Sequence, residues 1–146
     1  MKHRTSQIIY NYWNEVRQGR LAPRRFDIEP ARISSVLAET LILERIDPDT
    51  FRFRLAGTRI GEQFCADFRG QNFLDLWSPA ERERLALMLS RMVEHGAVGV
   101  VHVEAEGPGP GIAEFEIVLL PLVHTRNVID RFLGSISCAP APSWLG

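Results

Sequence analysis

Cysteine is scarce, with only Cys65 and Cys138 in 146 residues. Neither stands in a CxxC or Cys–His spacing, so a disulfide scaffold is excluded and a reducing compartment is expected. A strong net charge is missing too. At a formal −1 no global field draws the chain to nucleic acid or to an anionic membrane. The longest strongly apolar run, Ile117 to Val123, has Pro121 inside it and falls far short of the roughly twenty residues of a membrane helix. Met1 to Arg4 is basic, but Asn11, Asn14, Glu15 and Arg17 interrupt what would be the apolar region of a secretory signal. A cytoplasmic protein with neither a membrane nor a nucleic-acid partner is expected. GxSxG, P-loop and HExxH signatures are absent. The glycines at 107, 109 and 111 alternate with prolines, which removes N–H groups that a phosphate cradle needs. His3, His95, His102 and His124 form no pair with metal spacing, so no metal is expected.

What is present suits one ordinary core. At 45% hydrophobic and 24% charged the chain is long enough for one domain and too short for two. Up to Arg32 the charges are lopsided: Lys2, Arg4, Arg17, Arg20, Arg24, Arg25 and Arg32 against Glu15, Asp27 and Glu29. With no aromatic interleaving or recognition motif, this reads as a solvated arginine face pairing with carboxylates, not a phosphate or nucleic-acid site.

Phe51 to Trp77 is the organising stretch. Phe51, Phe53 and Leu55 alternate with Arg52, Arg54 and Ala56, the pattern of a strand with one buried face. Gly57 ends it. Thr58 then starts a short helix carrying Ile60, Phe64 and Cys65 at helical spacing, and Gly61 and Gly70 allow sharp changes of direction. Short helices held off a sheet leave room for a small molecule.

The elements follow in order. Ser6 to Gln18 is an amphipathic helix with a stripe of Ile8, Ile9, Tyr12, Trp13 and Val16, stopped at Gly19. The stripe needs either the outside of the sheet or another subunit. A second short helix is expected over Ala31 to Leu37 after Pro30, then a hairpin of Leu41 to Ile46 and Phe51 to Ala56 about an Asp47-Pro48-Asp49-Thr50 turn. Ser78, Pro79 and Glu81 mark a capping box before a long helix, whose apolar face carries Leu85, Met88, Leu89 and Met92 and which Gly96 ends. Val98 to Glu104, Ile112 to Leu122 and Phe132 to Cys138 complete the sheet. The class is α+β: a five-stranded antiparallel sheet with helices on one face, preceded by an amphipathic helix. The divisions are 1–38 for the N-terminal helical extension, 39–140 for the domain and 141–146 for a stiff tail.

This order, with Gly70 to Arg82 as GQNFLDLWSPAER and a last strand containing Phe132-Leu133-Gly134, resembles PAS domains. YWNEVRQGRLAPRRFDIEP followed by FRFRLAGTRIGEQF is similar to a family of short, often stand-alone bacterial proteins of PAS fold. The resemblance covers nearly the whole chain. Two departures stand out: Cys65-Ala66-Asp67-Phe68-Arg69-Gly70 where a glycine and Asp-Leu-Thr-Gly are frequent, and Glu29-Pro30 where Asp-Pro is common. PAS domains that bind flavin photochemically use a Cys in an Asn-Cys-Arg run, which Gln63-Phe64-Cys65-Ala66 does not match. Haem-binding members offer a His near the long helix, yet His95 at its end is also what the helix dipole favours. No cofactor is expected.

The functional expectation is a non-catalytic sensory or regulatory module. It binds a small apolar or amphipathic ligand in a pocket of Phe53, Leu55, Ile60, Phe64, Phe73, Trp77, Met88, Leu89 and Met92, and signals to a regulatory protein partner. A homodimer is expected, with Ile8, Ile9, Tyr12, Trp13 and Val16 in the interface. The alternative is a small isomerase- or hydratase-like enzyme using the same cavity, with Asp67, Asp75 or His102 as base.

Overall fold

A computed structural model describes residues 3–64, 66–106, 112–124 and 126–138. Cys65, the Gly107 to Gly111 loop and the tail from 139 onward lie outside the described residues. Five strands, β1 (Thr40–Asp47), β2 (Thr50–Ala56), β3 (Gly99–Glu106), β4 (Ile112–Val123) and β5 (Ile129–Cys138), form one sheet in the order β2-β1-β5-β4-β3. All pairings are antiparallel. The last strand thus joins the two hairpins. It can lie between them because Gly134 lets its neighbours close in: a Cβ there would stand 2.5 Å from the Val118 carbonyl oxygen and 3.0 Å from Leu41 Cδ1.

Both faces of the sheet are apolar, and each has its own cover. The front carries α2 (Thr58–Phe64), a 3₁₀ turn Phe73–Leu76 and α3 (Pro79–His95) over Leu41, Leu43, Phe51, Phe53, Phe115, Ile117 and Phe132. On the back, α1 (Arg4–Arg17) and the 3₁₀ segment Pro30–Glu39 bring Ile9, Tyr12, Trp13, Ile33 and Val36 onto Ile42, Val118, Leu120, Leu122 and Leu133. Of the two places expected for the α1 stripe, the outside of the sheet and another subunit, its centre takes the first, and Ile9, Tyr12 and Trp13 are corrected as interface residues. Ile9, Tyr12 and Trp13 are 0, 6 and 3% exposed within a single chain, so these three have no surface for a partner to bury, while Ile8 and Val16 sit half-buried at the margin. Polar anchors hold the helix. Trp13 Nε1 donates to the Pro121 carbonyl at 2.8 Å, and the Tyr12 hydroxyl accepts from the Glu29 amide at 2.7 Å.

Local details differ from the sequence reading in two places. The segment after Pro30 is 3₁₀ with a kink at Ile33 (φ −120°, ψ 27°). At α3, Ser78 has the backbone geometry of an N-cap and Pro79 opens the helix, but the Ser78 side chain makes no capping bond. The box with Glu81 therefore does not form. Gly96 ends α3 at φ 69°, its N–H returning to Met92 O at 2.8 Å. Two of the N-terminal arginines pair with carboxylates, Arg20 with Asp27 at 3.0 Å and Arg32 with Glu15 at 2.9 Å, while Arg17 and Arg24 bond the amide oxygens of Asn14 and Asn127. The backbone N–H of Arg24, then the Arg20 guanidinium, hold the Asp27 carboxyl below its usual range.

Candidate functional site

Gly57 is where the chain leaves the sheet. A Cβ there would lie 2.3 Å from the Ala38 carbonyl oxygen, so only glycine lets β2 pass this backbone on its way into α2. After α2 the chain returns along the outer edge of β2, with Gly70 N–H on Phe53 O and Phe53 N–H on Gln71 O, both at 2.9 Å. Asn72 fixes the next turn. Its Oδ1 accepts from the Phe51 amide at 2.9 Å and the Leu74 amide at 3.2 Å, while its Nδ2 donates to Asp49 O at 2.9 Å. Phe73 and Trp77 are thereby held over the sheet.

The detour leaves a cavity of about 320 Å³ between the sheet and its front helices. Phe64, Ala66, Phe68, Phe73, Leu76 and Trp77 line it from above, and Val103, Phe115, Ile117 and Ile136 from the sheet. The aromatic rings brace one another, with centroids 4.9 Å apart for Phe64 and Phe115, 5.9 Å for Phe64 and Phe68, and 5.7 Å for Phe73 and Trp77. Among the described residues none of the lining side chains is ionisable. The indole N–H of Trp77 is buried with no hydrogen-bond partner among the described residues. Water is held in a cavity by two to four polar partners, and these walls offer it little; an apolar molecule would gain about 25 cal/mol per Å² buried.

Of the residues expected in the pocket, Phe64, Phe73 and Trp77 line it. Phe53 is one ring behind, stacked on Phe68 at 5.4 Å. Ile60, Leu89 and Met92 are fully buried in the same core beside the cavity. Met88 packs with Met92 over Gly99, where a Cβ would meet Met92 Sδ at 2.9 Å and Met88 Cε at 3.1 Å. Leu55 is corrected outright, for it packs on the back-face cluster. The cause is a bulge: Ile42 pairs with Leu55 but Leu43 with Phe53, so Arg54 is an extra residue that turns the following side chains over. The sequence reading missed Ala66, Phe68, Leu76 and the four sheet residues. The alternation of Phe115 and Ile117 with Glu114 and Glu116 is a signal for one apolar face of this strand, but only the strand order puts that face under α2.

The candidate bases are scattered. Asp67 is exposed and accepts from the Arg69 amide at 3.1 Å. Asp75 pairs with Arg82 at 2.5 Å. His102 projects from the back of β3, its Nε2 2.6 Å from Oε2 of the wholly buried Glu116, which also accepts from the His3 amide at 3.0 Å. None of the three lines the cavity. His95 is exposed at the end of α3, 3.6 Å from Glu94. Burial, with the Glu39 carboxylate adding to it, pushes the Cys138 thiol up, away from a reactive thiolate. Among the described residues no three His, Cys, Asp or Glu side chains gather as metal ligands.

A family model described as PAS domain matches residues 1–137. The chain belongs to the PAS domain family. This PAS domain is similar in fold to the light-state structure of the blue-light photoreceptor Aureochrome1 LOV, with a TM-score of 0.54 and 14% identity over 77% of this chain and 89% of that one. A second likeness is to the Rhodobacter sphaeroides LOV protein, at TM-score 0.53 and 13% identity, covering 80% of this chain and 71% of that one. At such identities the likeness is one of fold. Among curated proteins none matches the sequence. No helix among the described residues is long and apolar enough to cross a membrane.

Proposed function

We propose that this PAS domain is a non-catalytic sensory or regulatory module that takes a small apolar or amphipathic molecule into the aromatic-lined cavity and signals its occupancy through protein association. The observation that carries the reading is the cavity itself, about 320 Å³ with no ionisable side chain among the described residues of its lining. Burial holds such a ligand, and few polar contacts fix its orientation, so broad specificity follows. Asp67, Asp75 and His102 engage neighbours away from the cavity, which favours binding over proton transfer. The test is a fluorescence titration with anilinonaphthalene sulfonate. Saturable binding to the folded protein, lost in Ala66→Phe while the melting transition stays cooperative, supports the reading. Binding that Ala66→Phe leaves unchanged places the probe elsewhere and removes the support.

A further inference from the structure

The two edges of the sheet are finished differently. The outer backbone of β2 is occupied by residues 70–72 through Phe51 N–H, Phe53 N–H and Phe53 O, and its pairing with β1 is broken by two bulges. The other edge is β3, whose eight residues pair with β4 in unbroken register. Among the described residues, nothing hydrogen-bonds to the main chain of its outer side. A regular strand of sequence GVVHVEAE has no proline, lysine or bulge, so of the devices by which proteins protect an edge its sequence carries only the acidic residues Glu104 and Glu106.

Along that edge runs a groove of about 410 Å³. Four consecutive residues of β3, Val101 to Glu104, line it. Successive side chains of a strand point to opposite faces, so the wall they share is the open edge of the strand. The facing wall is Glu81, Arg84 and Leu85, one face of α3 at i, i+3 and i+4. Trp77 belongs both to this groove and to the apolar cavity.

We propose that the groove is a docking site for an extended segment of a partner protein, which joins β3 as a sixth strand and lays apolar side chains against Trp77 and Leu85. Main-chain bonds to an open edge supply affinity and alternate side chains supply specificity. A small amphiphile would fill the apolar part and leave the strand edge unpaired. Charge refines the partner: Glu81 and Glu104 outnumber Arg84 here, and the ring of His102 is engaged by Glu116. The segment that fits alternates Val, Ile, Leu or Phe with Lys or Arg. This site does not depend on the cavity being filled.

The probe is a pool of short acetylated and amidated peptides of that alternating pattern, added to the full chain, with amide hydrogen exchange as the readout. Saturable binding is expected, slowing exchange at alternate residues between Val100 and Glu104. N-methylating alternate residues of a bound peptide, one parity at a time, should weaken it at least about tenfold for one parity only, the loss of one to two main-chain bonds. Glu104→Lys, which leaves the first turn of α3 and its Glu81 untouched, should weaken it while the melting transition stays cooperative. Three results overturn the proposal: no member of the pool binds, binding is indifferent to N-methylation at either parity, or the free protein already protects β3 in a concentration-dependent way, which would assign the edge to a second copy.

Discussion

Adding bulk at Ala66 separates a real cavity from a packed core. Leucine adds three carbons; at about 0.8 kcal/mol per buried methylene the gross gain approaches 2.4 kcal/mol. Ala66 is half-buried, so the net stabilisation from Ala66→Leu should be about 1 kcal/mol, raising the melting temperature by about 2–4 °C for a chain of this size. In a close-packed site the same change costs about 1–3 kcal/mol in strain. The sign therefore decides. Met88→Trp is the internal control, because Met88 already packs with Met92 against the backbone at Gly99; it should lose about 1–3 kcal/mol even though the cavity lies nearby. Calorimetry on both variants reads the difference directly. A lowered melting temperature in Ala66→Leu, or a raised one in Met88→Trp, would refute this placement of the empty volume.

Ile9→Glu should unfold the chain, losing more than about 3 kcal/mol by urea titration, because it puts an unpaired carboxylate into the back-face core; a folded monomer released from a dimer would contradict the placement of α1. Asn72→Ala leaves the Phe51 and Leu74 amides without their partner, and should cost about 1–2 kcal/mol and weaken probe binding by loosening the turn that carries Phe73. Glu44 lies between Arg54 and Arg131, with Arg131 Nη2 at 2.8 Å. Burial alone would raise its carboxyl, but the two guanidinium groups outweigh that and hold it below the usual carboxylate range. A depressed carboxyl contributes stability above its unfolded value and loses it as pH falls through the folded one. The gap between the parent protein and Glu44→Gln should thus be about 1–3 kcal/mol at neutral pH and close in acid below the unfolded value; a gap independent of pH would show that the carboxylate charge is not what matters.

Periodicity made much of this fold legible. The 3.6-residue spacing of Leu85, Met88, Leu89 and Met92 and the stop at Gly96 located α3, and Phe51 and Phe53 gave the front face of β2. The alternation in β2 runs on unbroken in sequence through Leu55, whereas the bulge at Arg54 depends on how β1 pairs. No local pattern carries that. The α1 stripe was legible as a stripe, but its target was not: Ile42, Val118, Leu120, Leu122 and Leu133 come from three strands that converge only in the folded sheet. For the cavity, Phe64, Phe73 and Trp77 could be found because they follow the strand closely along the chain. Phe115, Ile117 and Ile136 are separated from them by α3 and a hairpin, and strand order alone joins them. The methionines of α3 do point inward, yet they meet Gly99 at the start of β3 instead of the open space, a matter of where along its axis the helix crosses the sheet.

The claim that the aromatic cavity holds a small apolar molecule is tested most directly by native mass spectrometry of the protein purified without denaturant, before and after incubation with an excess of a small apolar compound such as naphthalene. A single added mass, present on purification or acquired on incubation and absent in Ala66→Phe, is the predicted result. The bare chain mass throughout, or an adduct that Ala66→Phe retains, would contradict it.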